Sequence, residues 1–209
     1  MYIPNAFRED DLDKLVGFMR VHSFATLVSV LDGSPFASHV PLLVRRQGSI
    51  IQLIGHLAKP NPQWKAFGGG ESLAIFSGPH AYISPSLYET RESVPTWNYI
   101  AVHAYGTPRT VTLADSPQAL KEVLQSLIEA YDPSYRSQWD ELSTKYREGM
   151  MNGIVAFEMT VTRLEGKYKL SQNRGRDDQR RVAQSLMQST DPTISGVGQA
   201  MKANLGSEG

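Results

Sequence analysis

The stretch Ser49–Trp64, SIIQLIGHLAKPNPQW, decides the fold. It opens with the apolar run IIQLI at 50–54, whose length and β-branched residues are typical of a buried strand. Gly55 is expected to end this strand, and HLAK at 56–59 is expected to form a short corner after it. The stretch therefore predicts a strand that turns directly into the next element.

The residues after this corner have the sequence of a helix start. Asn61 can accept from the first free N–H groups of a helix, and Pro62 fits the first helical position. His56 and Lys59 would then lie beside a helix N-terminus, where free N–H groups and the helix dipole favour an anion. The pattern predicts a phosphate site at Lys59. The alternative is an ordinary solvated lysine.

Length and composition exclude several classes of protein. The chain has 209 residues, of which 41% are apolar and 20% charged, as in one large globular domain or a core domain with a helical appendage. It has no cysteine, which excludes disulfides, thiolate metal sites and cysteine nucleophiles. The acidic N-terminal region is no signal peptide, and no run approaches the roughly 18 apolar residues of a membrane span. We expect a cytoplasmic protein without membrane contact.

Short strand-like runs with turn-sized gaps surround the opening stretch. They lie at 24–31, 36–45, 72–77, 80–84, 94–106, 109–113 and 154–164. Asp32-Gly33 is a typical hairpin turn, whereas Gly78-Pro79 is expected to interrupt a strand. Successive strands with such short connections predict an antiparallel barrel rather than a parallel sheet.

Helices are predicted at the start of the chain and in its second half. Asp10 or Asp11 can cap a helix over 12–19, and Ser116-Pro117 begins the clearest one, which ends near Tyr131. A more polar helix is expected over about 135–150. A short helix is expected near Val182. A last turn over 199–205 would follow the Ser/Thr/Pro/Gly-rich segment at 189–198.

Two further stretches could hold a planar heterocycle. His39 lies in a strand in which Pro41 indicates an edge or a bulge, and an edge leaves backbone N–H and C=O groups free. The alternative is that His39 lies on a polar face of the strand whose groups already have hydrogen-bond partners. Trp97-Asn98-Tyr99 combines a flat surface with an amide that both donates and accepts, although Trp is more often found in core or interface packing.

Other site chemistries find little support. The five histidines form no metal-ligand motif, and the chain has no G-x-S-x-G, G-x-G-x-x-G or Walker sequence. Lys plus Arg equals Asp plus Glu, 21 each, so no global field draws the chain to nucleic acid. The segment 167–181 nevertheless holds six cations against two aspartates, a local excess of four. This segment could contact DNA, or it could serve a flavin phosphate and solvent.

Five separated blocks carry a family resemblance. They are MYIP with Phe7, GHLAKPNPQW at 55–64, FSGPHAYISPSLY at 76–88, VPTWNYIAVHAYG at 94–106 and KLSQNR at 169–174. In this order they resemble the PaiB-type FMN-binding negative transcriptional regulators. The resemblance implies a mainly β fold with flanking helices (α+β), namely an antiparallel split β-barrel of the FMN-binding type with a helical C-terminal region. It also implies a homodimer with FMN at the subunit interface.

The resemblance also implies a set of cofactor-binding residues. The FMN phosphate would lie at His56, Leu57 and Lys59, and the isoalloxazine along the backbone of the segment 38–40. A partner chain would close the site with part of KLSQN. With Asn98 added from the Trp97-Asn98-Tyr99 stretch, the full set of predicted cofactor-binding residues is Ser38, His39, Val40, His56, Leu57, Lys59, Asn98, Lys169, Ser171 and Gln172. The implied domain covers residues 1–190 with a helical insert at about 116–150, followed by a partly disordered helical tail at 191–209.

The main functional hypothesis is an FMN-binding transcriptional repressor that contacts DNA, if at all, through the segment 167–181. One alternative is a flavin-dependent oxidoreductase of a small molecule, with His39, His103 or Tyr99 as proton donor. Another is a haem-binding split barrel, because some split barrels bind haem and histidines are plentiful here. Whether the chain is an enzyme stays open at this point.

Overall fold

A computed structural model describes residues 1–207 of the chain. These residues form ten strands: β1 (Arg8–Glu9), β2 (Phe24–Leu31), β3 (Ser34–Pro41), β4 (Leu43–Gln47), β5 (Ile50–Ala58), β6 (Ser72–Ile83), β7 (Thr96–Gly106), β8 (Pro108–Val111), β9 (Ile154–Thr160) and β10 (Arg163–Lys169). The α-helices are α1 (Leu12–Val21), α2 (Pro117–Tyr131), α3 (Tyr135–Glu141), α4 (Thr144–Asn152), α5 (Arg176–Met187) and α6 (Pro192–Ser207). Three short 3₁₀ helices also lie within residues 1–207, including Pro62–Ala66. Within residues 1–207, no helix is both long and apolar enough to cross a membrane.

The chain divides into two compact units. The central unit comprises residues 19–76 and 104–164, and the terminal unit comprises residues 1–18, 77–103 and 165–207. In the central unit, β6, β2 and β3 are neighbours in that order, and β4, β5, β9 and β8 form a second antiparallel sheet. The hairpin of β2 and β3 closes at the predicted turn, where Asp32 and Gly33 both have positive φ.

Helices α2 to α4 contribute to the hydrophobic core of the central unit. Leu120, Val123 and Leu127, at helical spacing on α2, pack in one cluster with Ile54 of β5 and Ala156 of β9. Ser116 caps α2 as predicted, since its side chain accepts from the Ala119 N–H. The predicted 135–150 helix is two helices, because the backbone at Leu142 is extended and Ser143 caps a new helix.

The terminal unit has the strand order β1-β10-β7-β6, with helices α5 and α6 packed on each other. Asp11 is the residue that caps α1, because its Oδ1 accepts from the N–H groups of Asp13 and Lys14. Helix α6 is longer than the last turn predicted for 199–205, since it starts at Pro192 and buries Val197. The domain limit at residue 190 stays a prediction. The last two residues of the tail predicted to be partly disordered, 208 and 209, lie outside the described residues.

Three of the predicted strand boundaries were wrong. Strand β5 does not end at Gly55 but continues to Ala58, because Gly55 lies opposite Phe157 of β9. A Cβ at Gly55 would lie 2.9 Å from Leu42 Cδ2, so this glycine permits close packing rather than a turn. Strand β6 likewise runs through the Gly78-Pro79 pair. The predicted strand 36–45 is instead two strands, separated at Leu42.

Candidate functional site

The predicted anion corner lies at the end of β5 in the central unit. The Asn61 N–H donates to the Ala58 carbonyl at 2.9 Å, and Asn61 Oδ1 accepts from the Gln63 N–H at 3.0 Å. The backbone of Lys59 is fixed on both sides, since its N–H donates to Gly153 and its carbonyl accepts from the Trp64 indole. The Lys59 side chain is exposed and has no ion-pair partner among residues 1–207. The corner thus presents an unpaired ammonium from a rigid backbone.

The helix after this corner is shorter than a typical α-helix and is of the 3₁₀ type. Its residues Pro62–Ala66 form a five-residue 3₁₀ helix, and Asn61 already satisfies the Gln63 N–H. A helix of this length contributes little dipole, because the macrodipole is a sum over aligned peptide units. The attraction for an anion at this corner therefore depends on the charge of Lys59.

His56 and Leu57 lie within β5 rather than in the corner. Leu57 is buried in the core, so only its backbone could meet a ligand. His56 is half-buried, and burial lowers the pKa of its imidazole. His56 is consequently neutral at pH 7 and would act as a hydrogen-bonding group rather than a cation.

The strand predicted to hold a heterocycle is an edge strand. Strand β3 pairs with β2 on one side and has no strand partner on the other among the described residues. His39 on this strand is exposed, and its Nδ1 forms a hydrogen bond with Thr26 Oγ1 at 3.1 Å. Val40 is buried. Asn61 Nδ2 donates to Ser38 Oγ at 2.8 Å. This bond connects the Lys59 corner directly to the edge strand.

The remaining predicted residues form a polar group in the terminal unit. Asn98 on β7 is completely buried, and its Nδ2 donates to Ser171 Oγ at 2.8 Å. Asn98 Oδ1 has no hydrogen-bond partner among residues 1–207. Ser171 is also buried and has a φ of +66°, which is the left-handed region that side chains other than glycine rarely adopt. Asn98 therefore supports the backbone turn at Ser171.

The side chains next to Ser171 are also occupied within the chain. Gln172 Oε1 accepts from the Leu170 N–H at 2.7 Å, and Gln172 Nε2 donates to the Tyr168 carbonyl at 2.6 Å. Lys169 Nζ donates to Thr96 Oγ1 and to the Trp97 carbonyl. Burial, followed by the charge of nearby Lys167, lowers the pKa of Lys169. Of this group, Lys169 alone keeps an ammonium donor to spare.

The structure therefore separates the ten predicted residues into two groups. The central unit holds Ser38, His39, Val40, His56, Leu57 and Lys59, and the terminal unit holds Asn98, Lys169, Ser171 and Gln172. Sequence reasoning missed the second role of Asn61, whose side chain both caps the 3₁₀ helix and holds Ser38. It also missed Gln63, which is buried and donates to the Leu27 carbonyl at 2.8 Å. A polar residue two positions after the predicted N-cap was the available signal.

The basic segment 167–181 is extensively paired within the terminal unit. Lys167 is buried and donates to the Tyr2 carbonyl, and Arg174 stacks on the Tyr88 ring at 4.2 Å. Arg180 pairs with Asp177 at 3.0 Å. Arg181 contacts both Asp178 and Glu89. The local excess of positive charge is therefore less available to a partner than the sequence indicated.

The residues of the central unit fit an FMN molecule. A free backbone edge suits the donors and acceptors of a flavin ring, and Lys59 with the hydroxyl of Ser38 suits a phosphate. Three His, Asp or Glu side chains do not come together as a metal site anywhere in the described part of the chain. Lys59, Ser38 and the free edge of β3 are the kinds of donor that suit a phosphorylated organic cofactor.

The comparison with protein families decides the assignment. The sequence model of the family described as "Putative FMN-binding domain" matches residues 1–163. The chain belongs to this family. Within it, the chain is 38% identical over 208 residues to the protease synthase and sporulation protein PAI 2 of Bacillus subtilis, and the match covers 98% of each chain. The predicted PaiB-type family membership and FMN as the family's cofactor are confirmed.

Solved structures of similar fold are more distant in sequence. The FAD and haem binding protein of Mycobacterium smegmatis matches with a TM-score of 0.59 at 15% identity, over 82% of this chain and 78% of that one. The flavocytochrome Anf3 of Azotobacter vinelandii matches with a TM-score of 0.58 at 13% identity, over 78% and 69%. At these identities the likeness concerns the fold alone. The predicted class, α+β with antiparallel sheets of the split-barrel type, is confirmed.

Proposed function

We propose that this member of the FMN-binding family is a cytoplasmic, homodimeric regulator that binds FMN at the Lys59 corner and the edge strand β3. The observation that carries this proposal is the hydrogen bond from Asn61 to Ser38, 2.8 Å long. It holds a free cation and a free backbone edge together in the central unit, and FMN needs both. The bound flavin would supply redox chemistry or a ligand-dependent signal.

In this arrangement the phosphate is held mainly by charge. The ammonium of Lys59 would pair with it, while Ser38 Oγ and the neutral imidazole of His56 would provide hydrogen bonds. Because Leu57 and Val40 are buried, their share in binding would come from backbone groups. Those backbone groups and the exposed face of His39 would orient the ring.

A second copy of the chain would complete the site with its loop 169–172. Lys169 is the proposed contact, since Ser171, Gln172 and Asn98 use their side chains to shape the loop. The latter three would be positioning residues rather than flavin ligands. A monomer should therefore retain FMN less tightly than the dimer.

Direct contact with DNA is the most specific element of this proposed regulatory function. It would use the segment 167–181, in which Arg176 and Arg180 are exposed. Because the neighbouring carboxylates offset much of this charge, we expect weak and strongly salt-dependent DNA binding. A gel shift at low salt tests this, and the absence of any retarded fragment would remove DNA from the proposal.

A flavin-dependent oxidoreductase is the second candidate, favoured by the exposure of His39 on the proposed ring strand. His39 would deliver or accept the proton that accompanies hydride transfer. Steady consumption of NAD(P)H by the FMN-loaded protein, lost in His39→Gln, would favour this function over the regulator. Without turnover of NAD(P)H, the flavin has a regulatory or structural role.

The absorbance spectrum of the purified protein, recorded after size-exclusion chromatography, tests the whole proposal. We expect flavin bands that travel with a dimer at one FMN per chain after reconstitution. A Soret band in place of flavin bands would support a haem protein instead. A monomer that holds FMN as tightly as the dimer would contradict the interface arrangement.

A further inference from the structure

A separate cavity lies in the helical part of the central unit. It has a volume of about 320 Å³ and is lined by the start of α2, by Trp139 of α3 and by α4. Ligand sites for small organic molecules range from about 300 to 1,000 Å³, so this cavity is large enough for a small ring compound. None of the residues assigned to FMN lines it.

The inner wall of this cavity is apolar. Leu113, Trp139 and Met151 line it, and Trp139 and Met151 are both buried. The indole N–H of Trp139 is buried and has no acceptor in the described part of the chain.

The rim of the cavity is positively charged. Lys121 and Arg147 both line it, and neither forms an ion pair among residues 1–207. Glu148 is the one carboxylate in the lining. Two unpaired cations around an apolar wall favour an occupant with a negative charge at one end.

Two helix N-termini add to the positive electrostatic potential at the cavity. Pro117 and Gln118 are the first residues of α2, Thr144 is the first residue of α4, and all three line the cavity. The positive ends of both helix dipoles are therefore at the cavity, where they add to the charges of Lys121 and Arg147.

We propose that this cavity binds a small organic carboxylate with an apolar, ring-sized body. The carboxylate lies between Lys121 and Arg147, and the body lies against Trp139 and Met151. This inference goes beyond the proposed function, because it concerns a second site with a different ligand. An FMN regulator with such a site would respond to a metabolite as well as to its flavin.

Isothermal titration of the full chain with 2-naphthoate tests the proposal, with neutral 2-naphthamide as the matched ligand. We expect naphthoate to bind once per chain with a millimolar or tighter dissociation constant, about tenfold more tightly than the amide. Arg147→Gln and Lys121→Gln should each weaken naphthoate several-fold, and Glu148→Gln should strengthen it. Lys145→Gln, at an exposed position of α4 outside the lining, is the control and should bind as the wild type does.

Fluorescence locates the bound probe independently of the charged variants. Naphthoate should quench part of the tryptophan emission, and Trp139→Phe should abolish that part. Absence of naphthoate binding, equal affinity for the amide, or unchanged affinity in both Arg147→Gln and Lys121→Gln would overturn the proposal. Quenching that persists in Trp139→Phe would place the probe elsewhere and would also overturn it. All of these outcomes are independent of whether FMN binds.

Discussion

The corner at residues 58–62 and the loop at residues 169–172 are both polar, but they use their side chains in opposite ways. In the corner, hydrogen bonds fix the backbone of Lys59 and leave its ammonium exposed. In the loop, Gln172 forms its hydrogen bonds with the loop backbone, and Ser171 accepts a hydrogen bond from Asn98. Residue type alone therefore does not predict a binding role. A binding role requires a side chain whose polar group is free to contact a ligand. Tertiary hydrogen bonds decide whether it is free.

The largest expected effect concerns the cation of the corner. Lys59→Ala should weaken FMN binding by about 1.5–3 kcal/mol, the scale of a hydrogen bond to a charged group, which is tenfold or more in affinity. Stability should change by less than about 0.5 kcal/mol, because the side chain is exposed. Flavin fluorescence titration measures the affinity. Lys65→Ala, an exposed lysine of the neighbouring 3₁₀ helix, is the control and should bind FMN normally.

Substitutions that disturb the loop at 169–172 should lower the stability of the fold, because its side chains hold the loop rather than contact the flavin. Asn98→Leu keeps the volume but leaves Ser171 Oγ buried without its donor, so we expect a loss of about 1–3 kcal/mol in the free energy of unfolding. Urea denaturation measures this loss. Asn173→Leu, at an exposed position of the same loop, should cost no more than about 0.5 kcal/mol. Equal costs for the two variants would mean that Asn98 does not support the loop.

A pair of substitutions at Ser171 separates its hydrogen bond from its backbone strain. Ser171→Ala loses the bond to Asn98 and keeps the φ of +66°, so it should destabilise by about 1 kcal/mol. Ser171→Gly loses the same bond but relieves the left-handed conformation, which costs a non-glycine residue about 1 kcal/mol. The glycine variant should therefore be the more stable of the two. A more stable alanine variant would contradict the backbone conformation at Ser171.

The smallest effect is a pH dependence from the half-buried His56. Burial lowers the pKa of His56 in the folded state, so the unfolded chain binds more protons in this range and stability falls as pH decreases. The melting temperature should drop on going from about pH 7.5 to about pH 5.5, across the ordinary histidine value. His56→Gln should reduce this drop, whereas the exposed His80→Gln should leave it unchanged. An identical drop in both variants would exclude His56 as a source.

Local chemistry made much of the fold predictable. The hairpin at Asp32-Gly33, the caps at Ser116 and Asn61 and the apolar spacing of α2 depend on neighbouring residues, and the structure has them all. The predictions failed where a long-range contact overrides a local signal. Gly55 would normally weaken a strand, yet it lies where Leu42 and Phe157 leave no room for a Cβ.

The candidate site was only partly predictable for the same reason. The edge position of β3 follows from Pro41, and the exposure of Lys59 follows from its place after an apolar run. The burial of Asn98 and the internal bonds of Gln172 depend on residues far apart in sequence or on loop conformation. No local pattern carries that information.

The central claim is that Lys59 holds the phosphate of FMN. Titration of FMN and of riboflavin, which lacks the phosphate, into wild-type protein and Lys59→Ala tests it most directly. We expect the wild type to prefer FMN over riboflavin, and Lys59→Ala to lose most of this preference while its riboflavin affinity stays the same. A preference for FMN that is as large in Lys59→Ala as in the wild type would contradict the account.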